Sequence, residues 1–203
     1  MFIVIQKHLK LIIVWGLIFA VLSVLVSLLF PKYFSAESQV LIISRDRTGV
    51  DPYTQAKAAE RTGENLAAVM QTSDFYDKVM EEAEVSFDKT AWTGLTERAR
   101  RKAWTKNVRA EMMYGTSLLK ATVYASTREQ ALAFSDVVSK TIAARGWEYV
   151  GGDVAIKVVS VPYAKNWPSR PNLAMNGLAG FILGAVLSAW WAIKYRKHLF
   201  GKI

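Results

Sequence analysis

Three carboxylates stand together at Glu81, Glu82 and Glu84. Paired acids can divide acid and base work when their surroundings separate their pKa values. These three close a helix-forming stretch, where acids are ordinarily solvated, so the surface reading is preferred. Ser/His/Asp chemistry is closed to the middle of the chain, because the two histidines are His8 and His198, beside the apolar ends. Metal binding and His-based catalysis there lack their commonest residue. No cysteine is present, which removes disulfides and thiolate chemistry. The phosphate-cradling patterns G-x-x-x-x-G-K-[ST] and G-x-G-x-x-G do not occur, and Gly151-Gly152 reads as a helix stop. No catalytic residue, cofactor or metal ligand is assigned, and an enzyme ranks last among the function classes.

Cations are the remaining side chains with chemistry to offer. Arg98, Arg100, Arg101, Lys102 and Lys106 form a run, with Trp92 and Trp104 nearby. Such a face can contact an anionic polymer, a lipid headgroup or a protein partner, with tryptophan stacking on a sugar. The plainer reading is a solvated helix face whose tryptophans belong to the core, and it is preferred. The formal net charge of +9 does not point to nucleic acid. Six basic residues, Lys7, Lys10, Lys194, Arg196, Lys197 and Lys202, flank the two apolar ends with no acid among them, leaving +3 between Pro31 and Pro171.

Those apolar ends organise the chain. Leu11 to Phe30 carries no charge. It is longer than a signal peptide's apolar region, and a cut near Ala36 would place Phe34 where a small residue is wanted, so an uncleaved transmembrane helix is expected, ended by Pro31. Leu173 to Ile193 is a second uncharged run. As a helix it would be about 31 Å long, enough for a hydrocarbon core of about 30 Å. Gly177, Gly180, Gly184 and Ser188 give it a small-residue strip suited to helix association, within one chain or between chains. Trp190, Trp191 and Tyr195 read as a headgroup belt. The flanking charge predicts both termini in the cytoplasm and the intervening chain outside it. The layout is residues 1–10 cytoplasmic, 11–30 spanning, 31–171 an external domain, 172–193 spanning and 194–203 a cytoplasmic tail.

The fold class expected is α+β, with two transmembrane helices flanking one external domain in the order β-ααα-ββ-α-β. Ala36, Ser38, Val40 and Ile42 alternate in a first strand over 34–44. Helices are predicted over 53–71, with Ala56, Ala59, Leu66 and Met70 inward, over 75–84 after caps at Thr72-Ser73-Asp74, and over 90–107, with Trp92, Leu95, Ala99 and Ala103 on one face. A hairpin follows, 108–114 and 118–125, turning at Gly115-Thr116-Ser117. A long helix opens with a capping box, Ser126 with Glu129 or Thr127 with Gln130, carries Ala131, Phe134, Val138 and Ile142 inward, and ends near Gly151-Gly152. The last strand, 154–161, stops at Pro162. First and last strands are expected close together, because each adjoins a spanning helix. Pro162, Pro168 and Pro171 then frame the junction with the second span, fixing φ with few freedoms or simply starting the helix.

This layout resembles the polysaccharide co-polymerases, the Wzz-type chain length determinants. The likeness is carried by YFSAESQVLI after the first span, by LLKATVYASTREQALAFSDVVSKTI, and by the proline-rich VPYAKNWPSRPNLAMNGLAGFILGAVL. The resemblance implies a homo-oligomer in the cytoplasmic (inner) membrane that sets the chain length of a surface polysaccharide, such as O-antigen, capsule or exopolysaccharide. It implies work beside a separate polymerase and its lipid-linked glycan, among membrane lipids, without enzymatic activity of its own. The chain departs from larger members in having no long helical arm and no fused kinase. An activator of a separate tyrosine kinase, a capsule-export partner and a membrane-anchored sensor or scaffold are the alternatives.

Overall fold

A computed structural model of the chain describes residues 8–44, 51–82, 87–150 and 154–194. Lys7, residues 45–50, Glu84, Gly151-Gly152, Tyr195, Arg196, Lys197, His198 and Lys202 lie outside the described residues. The chain divides into two compact units, Met1–Lys32 with Pro168–Ile203, and Tyr33–Trp167.

The first unit is a pair of helices, α1 (Leu9–Leu28) and α7 (Leu173–Lys194), both long and apolar enough to cross a membrane. The predicted end of the first helix at Phe30 moves back to Leu28. Leu29 N and Phe30 N bond the carbonyls of Val26 and Ser27 in a tightened last turn, and the residue before a proline resists the α conformation. The second helix is capped by Asn172, whose Oδ1 accepts from Met175 N at 3.1 Å.

The second unit is built on a four-stranded antiparallel sheet in the order β2-β3-β1-β4, with β1 Phe34–Ser44, β2 Val108–Met112, β3 Leu118–Ala125 and β4 Val154–Ala164. Residues two apart on a strand share a face. Ala36, Val40, Ile42, Val108, Leu119, Ala121 and Val123 are all buried on one face. The other face carries Glu37, Gln39, Arg109, Glu111, Lys120 and Thr122, which meet across the strand registers. First and last strands pair directly.

Helices cover the apolar face. In α2 (Pro52–Val69), capped by Asp51, the inward stripe is Ala59, Gly63, Leu66 and Met70, and Ala56 is exposed, contrary to expectation. Gly63 takes the inward place because a Cβ there would stand 2.3 Å from Met112 Sδ. The helix α3 (Ser73–Glu82) is capped by Thr72, whose Oγ1 accepts from Phe75 N. The helix α5 (Arg128–Arg145) keeps its predicted stripe and also buries Ser135, Val137, Ser139 and Thr141, so two sides are covered. Ser135 Oγ donates to Ser38 Oγ at 3.1 Å, joining helix to sheet. The predicted run to Gly151 breaks at Gly146, followed by the single turn α6 (Trp147–Val150). At Gly146 a Cβ would lie 2.4 Å from Ile156 Cδ1.

Two further expectations need correction. The helix predicted from residue 90 begins at Glu97: α4 (Glu97–Asn107) is capped by Thr96, and Gly94 before it has φ +80°. Its inward face is Arg100, Ala103, Trp104 and Asn107, whereas Leu95 and Ala99 are exposed. The last strand also runs through Pro162 to Ala164. It can do so because β4 is an edge strand and its register against β1 slips by one residue twice, between Val158 and Ser160 and again between Ser160 and Tyr163. Edge strands and bulges are where a sheet tolerates proline.

Candidate functional site

The basic run does not act as one surface. Arg98, Arg101 and Lys102 point outward on α4, and Arg101 Nη2 pairs with Glu97 Oε1 at 2.7 Å. Arg100 lies on the inward edge, its guanidinium 5.0 Å from the centre of the Tyr76 ring, a cation–π contact that also packs its stem. Trp92 and Trp104 are in the core. Trp104 Nε1 donates to Met70 O at 2.8 Å, and the two indoles meet edge to face at 5.7 Å.

The acids Glu81 and Glu82 are held by one cation: Arg145 bonds each at 3.1 Å, joining α3 to α5. Among the described residues no group of three His, Cys, Asp or Glu side chains could hold a metal ion.

The prolines are divided between the two units. Pro162 sits at the register slip of β4; Pro168 and Pro171 precede α7, with the Arg170–Pro171 bond cis. The small residues of α7 turn toward α1 of the same chain. A Cβ at Gly180 would stand 2.6 Å from Phe19 O, and one at Gly184 2.7 Å from Trp15 O. Gly177 is looser, 3.2 Å from Val24 Cγ2. Ser188 is buried, its Oγ donating to Ala185 O. Polar locks add to the fit: Ser23 Oγ donates to Asn176 O at 2.8 Å, and Asn176 Nδ2 donates to Ser27 Oγ at 2.7 Å. In an apolar solvent such close backbone approach and interhelical hydrogen bonds are what hold helices together.

A feature that the sequence did not disclose is an open cavity of about 360 Å³ in the second unit. Its walls come from four places: Tyr33 ahead of β1, the segment from Phe87 to Leu95, the inner face of α4 at Ala103 and Asn107, and the β3–α5 corner. Phe87 stacks on Phe134 at 4.6 Å and Trp92 lies 5.9 Å from Phe134, giving an aromatic floor. Polar groups face it as well. Asp88 Oδ1 accepts from Thr90 Oγ1 at 2.6 Å and Thr90 N at 2.8 Å, and these bonds hold its carboxyl below the ordinary value. The Gln130 side chain does not complete the capping box; its Oε1 accepts from Asp88 N at 2.7 Å, while Thr127 Oγ1 alone caps α5. Asn107 lines the cavity, and its Oδ1 is buried without a hydrogen-bond partner among the described residues.

Of the residues singled out in the sequence, Trp92, Leu95, Ala103, Ser126, Gln130 and Phe134 reach this cavity, each of them read there as a core or capping residue. The cations Arg98, Arg100, Arg101 and Lys102 do not line it. Trp92 was the available signal, since an indole beside polar side chains can serve a wall as well as a core. Comparison with models of protein families and with curated proteins finds no match for this chain.

Proposed function

We propose that the chain is a two-pass protein of the cytoplasmic membrane that sets the length of a surface polysaccharide without catalysing its synthesis, beside a separate polymerase. The observation that carries this reading is the layout. A tightly fitted pair of apolar helices at the two ends of the chain brackets a domain whose first and last strands are hydrogen-bonded neighbours. The helices turn large apolar side chains outward, with Leu17 55%, Val21 58%, Ile182 53% and Val186 60% exposed. Apolar surface of that extent is at rest in hydrocarbon and costly in water. Positive charge before α1 and after α7 favours cytoplasmic termini. The resemblance carried by residues 33–42, 118–142 and 161–187 supplies the polymer.

Deletion of the gene tests the reading. Polymer should still be made, with a broadened or shortened size distribution on a gel of extracted polysaccharide. Pro168→Ala with Pro171→Ala should reproduce part of that change at equal protein level, because both side chains constrain the chain leading into α7. An unchanged profile with normal polymer amount overturns the reading. A change confined to phosphotyrosine on a partner would favour kinase activation instead.

A further inference from the structure

We propose that the cavity walled by Tyr33, Trp92, Asn107 and Tyr124 binds a neutral sugar unit. A pyranose has two kinds of surface, an apolar C–H face and an edge of hydroxyls. A site for it needs an aromatic plane and, at right angles, planar groups that donate and accept. Both are present. Tyr33, Trp92 and Tyr124 offer ring surface. Asp88, Asn107 and Gln130 offer a carboxylate and two amides around the same space.

Other ligand classes fit less well. The lining contains no Lys or Arg, although the Lys106 ammonium lies 5.7 Å from the centre of the Tyr33 ring; a phosphate entering beside the Asp88 carboxylate would meet repulsion. An acyl chain would press hydrocarbon against the charged Asp88 carboxylate and the Asn107 amide and offer neither a hydrogen bond. Asn107 Oδ1 is buried without a partner among the described residues, and a turn of this side chain toward the cavity it lines would let it accept from a sugar hydroxyl. The size, about 360 Å³, is at the small end of ligand pockets and suits a small ring. Asp88 and Gln130 are fixed by their bond to each other, so less ordering is needed on binding.

The cavity is at the end of the sheet where Phe34 pairs with Ala125. Tyr33 is joined to α1 through residues 29–32. A sugar held there would belong to the glycan whose length the chain sets. That role in setting length rests on the reading given above; the sugar chemistry of the cavity does not.

The test uses the full chain in detergent and an array of neutral oligosaccharides of glucose, galactose, mannose, rhamnose and N-acetylglucosamine, followed by saturation-transfer NMR. Inorganic phosphate and a short-chain fatty acid are the anionic and acyl probes. At least one neutral sugar should bind, and Tyr33→Ala and Asn107→Leu should each weaken it at least about tenfold, as expected for a lost ring face or hydrogen bond. Asn107→Leu should leave the melting temperature unchanged or raised, since it removes the unpaired buried Oδ1. If Asn107→Leu unfolds the domain, Tyr33→Ala and Asp88→Asn decide. The proposal is overturned if no sugar of the set binds, if binding survives all of the folded variants, or if phosphate or the fatty acid binds there instead. A sugar that binds while gene deletion leaves polymer length unaltered would keep the site and remove the length function. Altered length with no sugar bound would do the reverse.

Discussion

Lys78 is caught among three groups. Its Nζ is 2.5 Å from Glu148, 3.2 Å from Asp74 and 4.2 Å from the centre of the Tyr149 ring. Tyr149 also donates its hydroxyl to Asp74. The Tyr149 bond, with Lys78, holds the Asp74 carboxyl below its ordinary 3.8, and the Glu148 bond holds the Lys78 ammonium above its ordinary 10.5. As pH falls, the unfolded chain therefore takes up the Asp74 proton first, and the stability Asp74 contributes is present above about pH 4 and lost below it. The Lys78 contribution is present below its ordinary pKa and lost as pH rises past it. Melting curves should show the acid loss reduced in Tyr149→Phe and the alkaline loss reduced in Glu148→Gln; profiles parallel to the wild type would show that the cluster does not couple α3 to α6. None of this cluster was legible in the sequence, because it joins residues from separate elements. The same holds for Asn107. Its helix position was plain, but its burial depends on a cavity made by four segments. Trp104 was legible as a core residue, since a large ring beside charged neighbours is buried whenever the helix has an inside; Trp92 is buried as well, but from the turn ahead of α4 and not from the helix expected there.

At the scale of elements, α1 and α7 fit so closely that side chains cannot be added. Gly180→Leu with Gly184→Leu must push backbones apart, because the added Cβ atoms alone would lie under 3.0 Å from Phe19 O and Trp15 O. Overpacking of this kind costs about 1–3 kcal/mol per site. The full chain in detergent should melt at a lower temperature, whereas Gly177→Ala should be tolerated, since only a valine methyl must yield. Equal melting of the double variant and the wild type would mean that the helices do not rely on this approach. The sequence left open whether the strip meets its own chain or another; here it meets its own. Element order was legible because alternation in β1 and β3 and the 3.6-residue stripe of α5 are strong periodic signals. Boundaries were not. Thr96 and Gly94 move the start of α4 by seven residues from the expected 90 to Glu97, and an alternating pattern with proline hides a strand that survives by bulging.

For the whole molecule, the two-pass reading fixes which parts meet which solution. With no native cysteine, single cysteines report cleanly. A cysteine at Thr116, in the turn of the β2–β3 hairpin, should react with an impermeant maleimide in intact cells once any outer barrier is opened; one at Lys202 should not. The reverse labelling pattern would overturn the assigned orientation. The register slips of β4 have one further consequence, for crowding. Proteins confined to a membrane meet one another at high density, and a bare sheet edge is an open template on which copies can stack into fibres. The outer strand here presents Val159 and Val161, exposed by 47% and 83%, which would invite such growth. Pro162 withholds a donor, and the two irregularities break the spacing that a docking strand must match. On this edge, strand-to-strand growth between copies is therefore discouraged, and the exposed valines are left to side-chain contacts.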